Sequence, residues 1–467
     1  MKQNINEWID QAKDGLIALN VEEIVKSGVL ACRSDSLSPL VNYPPISAYC
    51  DMDEAEMFQG FENRPSRSAV AYLYLPFRPA LREYGHNIAQ LQNRDLDVDT
   101  YINYLVLEMV MRKVRLGVDQ IPVSSVLWNR GAIVIPNPRQ LESLLRSFVR
   151  HYDISQSTQF SVEADPISLL DVDGLQRLQL LKEYAVDHIR LKIDAVDDRV
   201  LSRLSCAHSH SQTLQAIENI RSVGFDNIYI DLVYDYPGQT PEAWVADLMR
   251  AATMDIDGFH FSQSCSSPSG KHEALSSVDD VFLIMYLRGL ITECYGYSEH
   301  QRHVFSKKEN TSSHYLRDRT HNLYDVAAVG ASSCSTLRGV FAINVEENNL
   351  QKYYQYLDGG RMAITRGKVL DCDDMARRSL LLPLKHSYVD KVQYEVQNEE
   401  EANVRFANEL RKLKQLGMLE EDNSRIWLTK CGGLFADEVA TQFYNPQYVV
   451  HRKTPNTLCS RKDSVET

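Results

Sequence analysis

From residue 69 onward, short runs of apolar and β-branched residues alternate with longer stretches of helical spacing. AVAYLYL (69–75) reads as a buried strand and YINYLVLEMVMRKVRLG (101–117) as a helix. SVLW (125–128) is strand-like, and PRQLESLLRSFVRHYD (138–153) has helical spacing with Pro138 at its start, where its missing N–H costs nothing. QFSVEA (159–164) precedes GLQRLQLLKEYAV (174–186), and HIRLKI (188–193) precedes a helical stretch from about Asp197. NIYIDLVY (227–234) precedes PEAWVADLMRAATM (241–254), and GFHFS (258–262) is a sixth strand candidate. Strands alternating with helices predict βα units on a parallel sheet. Six units are too few for a closed eight-fold barrel, so the expected fold is α/β, a partial (β/α)6 barrel of the TIM type. Chemistry in such sheets gathers at the carboxyl ends of the strands, here 78–85, 129–131, 163–166, 194 and 231–238.

The flanks divide the chain further. Residues 1–68 read as an N-terminal extension, 69–265 as the barrel, and 266–370 as an accessory α/β segment completing the core. Within the latter, SQSCSSPSGKHEALSS (263–277) reads as a loop or crossover and 279–297 as a helix ending near Gly296. The polar segment 298–321, rich in His and Arg, reads as solvated surface, and AAVGASSC (327–334) as a Gly/Ser turn after an apolar run. Between 371 and 445, Phe406, Leu410, Leu413 and Leu416 fall on one helical face that stops at Gly417, before the alternating Ile426 and Leu428. Helix, turn and ribbon in that order predict a small winged-helix-like domain, and 446–467 reads as a disordered tail.

Charge and cysteine use narrow the class. Fifty basic against 63 acidic residues give a net charge of −13, which argues against coating nucleic acid or an anionic membrane. The acidic surroundings of the winged-helix-like segment likewise favour a packing role over DNA binding. No run of 18 apolar residues is present, and the polar, acidic start is neither a signal nor a transit peptide. The nine cysteines, at 32, 50, 206, 265, 294, 334, 372, 431 and 459, are odd in number and widely spaced. No CxxC or CxxxC occurs, so neither a disulfide framework nor a local zinc or iron–sulfur site is supported, and a reduced, cytoplasmic setting is expected.

The motifs carry a resemblance. Tyr72-Leu73-Tyr74-Leu75-Pro76-Phe77 is similar to the strand ending YxHIPFC that precedes CxxxCxxC in radical S-adenosylmethionine proteins of the oxygen-independent coproporphyrinogen III oxidase type, a family that includes an anaerobic haem-degrading branch. At the family's cysteine spacing this chain has Arg78, Arg82 and Gly85, with Tyr84 in the aromatic place. A guanidinium has no lone pair to donate to iron. The GGGTP motif maps onto Asn129-Arg130-Gly131-Ala132-Ile133, so one glycine survives, and side chains at 129 and 130 are expected to crowd the cofactor's amino-acid end. Glu163-Ala164-Asp165-Pro166 matches E-A-N/D-P, whose Glu helps hold S-adenosylmethionine in the family. R-x-S-x-G-x-Q-S is worn to Arg190-Leu191-Lys192-Ile193-Asp194-Ala195-Val196, read with a short deletion, and Cys206 replaces a family Arg ahead of the retained His208. DLIYGLPGQT is nearly intact as Asp231–Thr240, its central Gly now Asp235.

The resemblance covers residues 69–445 and implies a degenerate member: scaffold motifs kept, motifs that touch iron, sulfur or cofactor largely replaced. The expected function is a non-radical protein that binds haem, a porphyrin or another anionic small molecule, or that partners a functional paralogue. No metal ligand set is expected, the [4Fe–4S] cluster is expected to be absent, and S-adenosylmethionine binding stays open. Positions matching the family's cofactor site are Tyr72, Tyr84, Gly131, Glu163 and Asp231. Arg78, Arg82, Arg130 and Arg190, joined by His86, would suit carboxylates or phosphate. The bland alternative is that such arginines pair with Glu83, Glu163 or Asp194 and plug the cavity. A repurposed enzyme, with Glu163 and Asp231 as an acid–base pair, is the second functional class. His300, His303, His314, His321 and the His208/His210 pair specify no third metal ligand.

Overall fold

The computed structural model describes residues 4–28, 30, 43–59, 68–75, 97–129, 131, 137–155, 159–204, 206–236, 238–264, 278–308 and 313–448. The six expected strands form: β1 (Ala69–Leu73), β2 (Ile121–Trp128), β3 (Gln159–Ala164), β4 (His188–Asp194), β5 (Asn227–Tyr234) and β6 (Gly258–Gln263). They lie parallel and in chain order. Between them run α1 (Val98–Leu116), α2 (Pro138–His151), α3 (Gly174–Glu183), α4 (His210–Ser222) and α5 (Pro241–Ala251), and α6 (Val278–Cys294) follows β6. Their starts follow local chemistry. Asn137 and Ser209 close capping boxes on α2 and α4, and Thr240 caps α5 just ahead of Pro241.

The arc is longer than the six-unit expectation. A seventh parallel strand, β7 (Asp325–Val329), pairs with β1 rather than following β6. The strands Cys334–Leu337, Val340–Asn344, Ile364–Val369 and Cys50–Asp51 then extend that edge in antiparallel fashion. Glu108 of α1 ties the addition in place, accepting hydrogen bonds from Tyr353 Oη (2.6 Å), Gly330 N (2.9 Å), Asn344 Nδ2 (2.8 Å) and Arg112 Nη2 (3.1 Å). The apolar run expected to lead into a turn at 327–334 is therefore largely a strand. Its Gly330 has φ +108°, and a Cβ there would sit 2.0 Å from the Tyr74 carbonyl oxygen.

Much of the described part of 298–321 is packed rather than solvated, although Ser298, Glu299, Lys307 and Lys308 are exposed. Ser298–Gln301 and Val304–Ser306 pair with each other, and the second also pairs with β6. The helix α7 (His314–Thr320) packs against β1, β2 and β3. Asp318 there accepts the hydroxyls of Ser124 (2.8 Å) and Ser125 (2.9 Å).

Strand alternation separates the two sheet faces. Ala71, Leu73, Val126, Trp128, Phe160, Val162, Ile189, Leu191, Ile228, Ile230 and Phe259 join the helices in the main core. Val70, Leu127, Val326 and Ala328 face the other way and pack on Tyr315 of α7. The C-terminal region holds helix Ala407–Gln415, Gly417 at φ +69° and a three-stranded antiparallel sheet of Tyr388–Asp390, Arg425–Leu428 and Leu419–Glu421. It docks on the core through Phe435 against Phe282 (4.7 Å between centroids), and the Lys385–Asp437 ion pair ties two of its own helices together. Among the described residues, no helix is long and apolar enough to cross a membrane.

Candidate functional site

The inner face of the sheet carries the polar residues that the outer face excludes. On β4, Ile189, Leu191 and Ile193 point to the helices, so His188, Arg190 and Lys192 point inward. The parallel register sets Glu163 of β3 beside Arg190 and Lys192 beside Asp231 of β5. Four charged side chains from three neighbouring strands therefore meet by register alone.

Their contacts form one network. Arg190 reaches Glu163 Oε1 through Nη1 at 3.2 Å and Asp231 through Nη2 at 2.8 Å and Nε at 3.3 Å. Lys192 Nζ donates to the same Asp231 Oδ2 at 2.9 Å. Only 2% of the Asp231 side chain is exposed, against 13% for Arg190, 16% for Glu163 and 25% for Lys192. Burial pushes the Asp231 carboxyl up, but Arg190 and Lys192 outweigh it and hold the group well below the usual carboxylate range. Burial likewise opposes the charge on Lys192, yet Asp231 and Glu163 hold its ammonium above the ordinary lysine value. Two acids and two bases neutralise one another, which makes burial of all four tolerable.

Beside this network lie two histidines and a tyrosine. His188 is fully buried, its ring lies tilted at 34° against that of Tyr229 with centroids 4.4 Å apart, and neither ring nitrogen has a hydrogen-bond partner among the described residues. Burial, aided by Arg190, pushes its pKa down to about 3, so the ring is neutral at pH 7. His260 is depressed by burial and by Arg190 in the same way.

The residues expected from sequence divide into three groups. Glu163, Arg190 and Asp231 come together, and the carboxylates are satisfied from within the chain. As an acid–base pair they are poorly arranged, because Asp231 is shut in and held as an anion by two cations. Tyr72 lies close by, its ring 5.9 Å from that of Tyr315 and its phenol raised by burial and by Glu163. Gly131 is buried beyond the end of β2. The Asn129 side chain turns to the Leu75 backbone, accepting from N and donating to O, both at 3.0 Å. Arg78, Arg82, Glu83, Tyr84, Gly85, His86 and Arg130 lie outside the described residues.

Two histidines of 298–321 meet groups from other elements. His303 Nδ1 sits 2.5 Å from Arg288 Nη1, and His321 Nδ1 sits 2.9 Å from Ser387 Oγ. Among the described residues no group of three or more His, Cys, Asp or Glu is placed to hold a metal ion.

Two glycine positions of the family motifs are retained as backbone shape without the glycine. Asp194 and Asp235, in the Gly places of R-x-S-x-G and DLIYGLPGQT, have φ of 59° and 63°. Asp tolerates this left-handed region better than most residues. Gln263 Nε2 then donates to Asp235 Oδ2 at 2.8 Å. Lys192 and His188 went unassigned in the sequence reading. The available signal was their period-two spacing with Arg190 on a strand whose other face is aliphatic.

Comparison with known proteins agrees with this geometry. Residues 101–251 match the radical SAM superfamily. The oxygen-independent coproporphyrinogen III oxidase of Escherichia coli is 23% identical over 86% of this chain and 91% of its own length. The heme chaperone HemW of Bacillus subtilis is 22% identical over 80% of this chain and 98% of its own. The solved structure of the E. coli oxidase, HemN, superposes with a TM-score of 0.73 over 86% of this chain and 96% of that one, at 22% identity, which establishes the shared fold. A parallel arc with a charged inner face, these relatives and the surviving motifs point one way: residues 101–251 match the radical SAM superfamily, and the chain over most of its length is similar to coproporphyrinogen III oxidase-like proteins.

Proposed function

We propose that this chain is a non-radical member of its family that binds a tetrapyrrole, or another polycarboxylate of that kind, and hands it to or holds it for a partner. The observation that carries the reading is the closed network: Asp231 and Glu163 are already neutralised by Arg190 and Lys192. S-adenosylmethionine brings a sulfonium and an ammonium, and both carboxylates that would meet such charges are engaged. The residues present do not fit that cofactor. Nor do Arg78, Arg82 and Gly85 fit a [4Fe–4S] cluster, whose iron needs thiolates. The ligand class rests on the relatives, named as a coproporphyrinogen oxidase and a heme chaperone. Arginines at 78, 82 and 130, which follow β1 and β2 in sequence, suit bidentate binding of propionates.

Two measurements test this. Anaerobic reconstitution with iron and sulfide should leave no stoichiometric cluster and no cleavage of S-adenosylmethionine; about four irons per chain with cleavage would overturn the non-radical reading. Absorbance titration with haem and coproporphyrin should give saturable 1:1 binding, weakened by the double substitution Arg78→Ala/Arg82→Ala. Binding that is absent, or indifferent to both arginines, would sink the ligand assignment.

A further inference from the structure

Within the non-radical reading, one residue stands out as the device that makes the site exclusive. We infer that Lys192 is a built-in counter-cation that closes the Asp231 site to cationic small molecules, and that shortening this one side chain reopens it to a sulfonium nucleoside. The inference rests on geometry. Asp231 is almost wholly enclosed, so its charge must be met by groups beside it rather than by solvent. Arg190 cannot be the displaceable partner, because its guanidinium bridges Asp231 through two nitrogens and Glu163 through a third. Lys192 makes a single contact with Asp231, through one rotatable ammonium, and is the most exposed of the four. It is the group of the four that is least committed to the network.

The charge count points the same way. With Lys192 present, two anions face two cations, and an arriving cation would meet like charge in a poorly solvated site, which opposes binding. Without it, two carboxylates face one guanidinium and the site is short of one positive charge. Position 192 also falls at the Ser of R-x-S-x-G, so the related motif has a short neutral side chain where this chain has a long cationic one. The lysine reaches Asp231 because adjacent parallel strands place the two residues side by side. No backbone change is needed to install or remove the plug.

Equilibrium dialysis with labelled S-adenosylmethionine and with its neutral thioether, S-adenosylhomocysteine, tests the inference on the full chain without iron. Unmodified protein and Lys192→Arg should bind the sulfonium only weakly. Lys192→Ser should bind it about tenfold or more tightly than the unmodified protein, and more tightly than the thioether, since one like charge has been removed. Lys192→Gln, which keeps most of the stem and loses the charge, gives the same reading if the serine variant does not fold. Unmodified protein that binds the sulfonium as tightly as a folded variant overturns the inference. So does a folded Ser or Gln variant that gains nothing. Sulfonium binding by unmodified protein, without iron and without cleavage, would refute the role of Lys192 while leaving the non-radical reading intact. Cluster assembly with cleavage would refute that reading itself.

Discussion

Replacing Arg190 by Met would expose how the inner face is held together. The substitution keeps much of the apolar stem but removes two bonds to Asp231 and one to Glu163, at 2.8, 3.3 and 3.2 Å. Breaking a buried pair by removing one partner costs about 3–5 kcal/mol, because it strands the other charge. Lys192 still faces Asp231 at 2.9 Å, so the loss should fall at the lower end, about 3 kcal/mol. Asp231→Asn alone should cost a similar amount, since Arg190 and Lys192 are then left without their shared anion. The double variant removes both charges, so its cost should fall short of the sum by at least about 1 kcal/mol. Urea denaturation followed by far-UV circular dichroism, at pH 7 and fixed salt, reads all four stabilities. Costs that add to within about 0.5 kcal/mol would refute the idea of a single coupled network.

Other outcomes follow from specific residues. Burial holds His188 neutral with a pKa of about 3, whereas the unfolded ring titrates near 6.5, so the unfolded state binds the extra proton. Stability should be full above about pH 6.5 and fall on acidification, by about 2 kcal/mol from His188 alone at pH 5, and His188→Gln should flatten that slope; a slope unchanged by the substitution refutes it. Trp128, buried against Phe148 (5.1 Å) and Phe160 (5.2 Å), should cost about 3–5 kcal/mol when replaced by Ala, read as a lower urea midpoint. At the left-handed position 194, Asp194→Ala should lower stability by about 1 kcal/mol while Asp194→Gly stays near neutral; an alanine variant as stable as the glycine one contradicts the backbone reading.

The legibility of this protein was uneven for identifiable reasons. The six βα units were readable because each strand's outward residues must meet a helix, so aliphatic runs such as Ile189, Leu191 and Ile193 mark the strands. Arg190, Glu163 and Asp231 were readable through motif positions. Lys192 was not, because a motif comparison registers it as a lost serine, and its value depends on Asp231 lying alongside on the next strand. His303 and His321 looked solvated because polar spacing does not reveal Arg288 or Ser387 waiting across a tertiary contact.

Local chemistry along the chain therefore determined the elements, their order and the parallel arc, since alternation and capping act over a few residues. It also determined that three cysteines are missing from one motif and that −13 net charge disfavours nucleic acid. Only the tertiary structure decided that β7 lies beside β1, that α7 packs over the strands, and that two acids and two bases cancel at the centre. Those outcomes depend on pairing between residues far apart in sequence and on the low dielectric they create together, and neither quantity exists until the sheet has formed and its helices have packed on it.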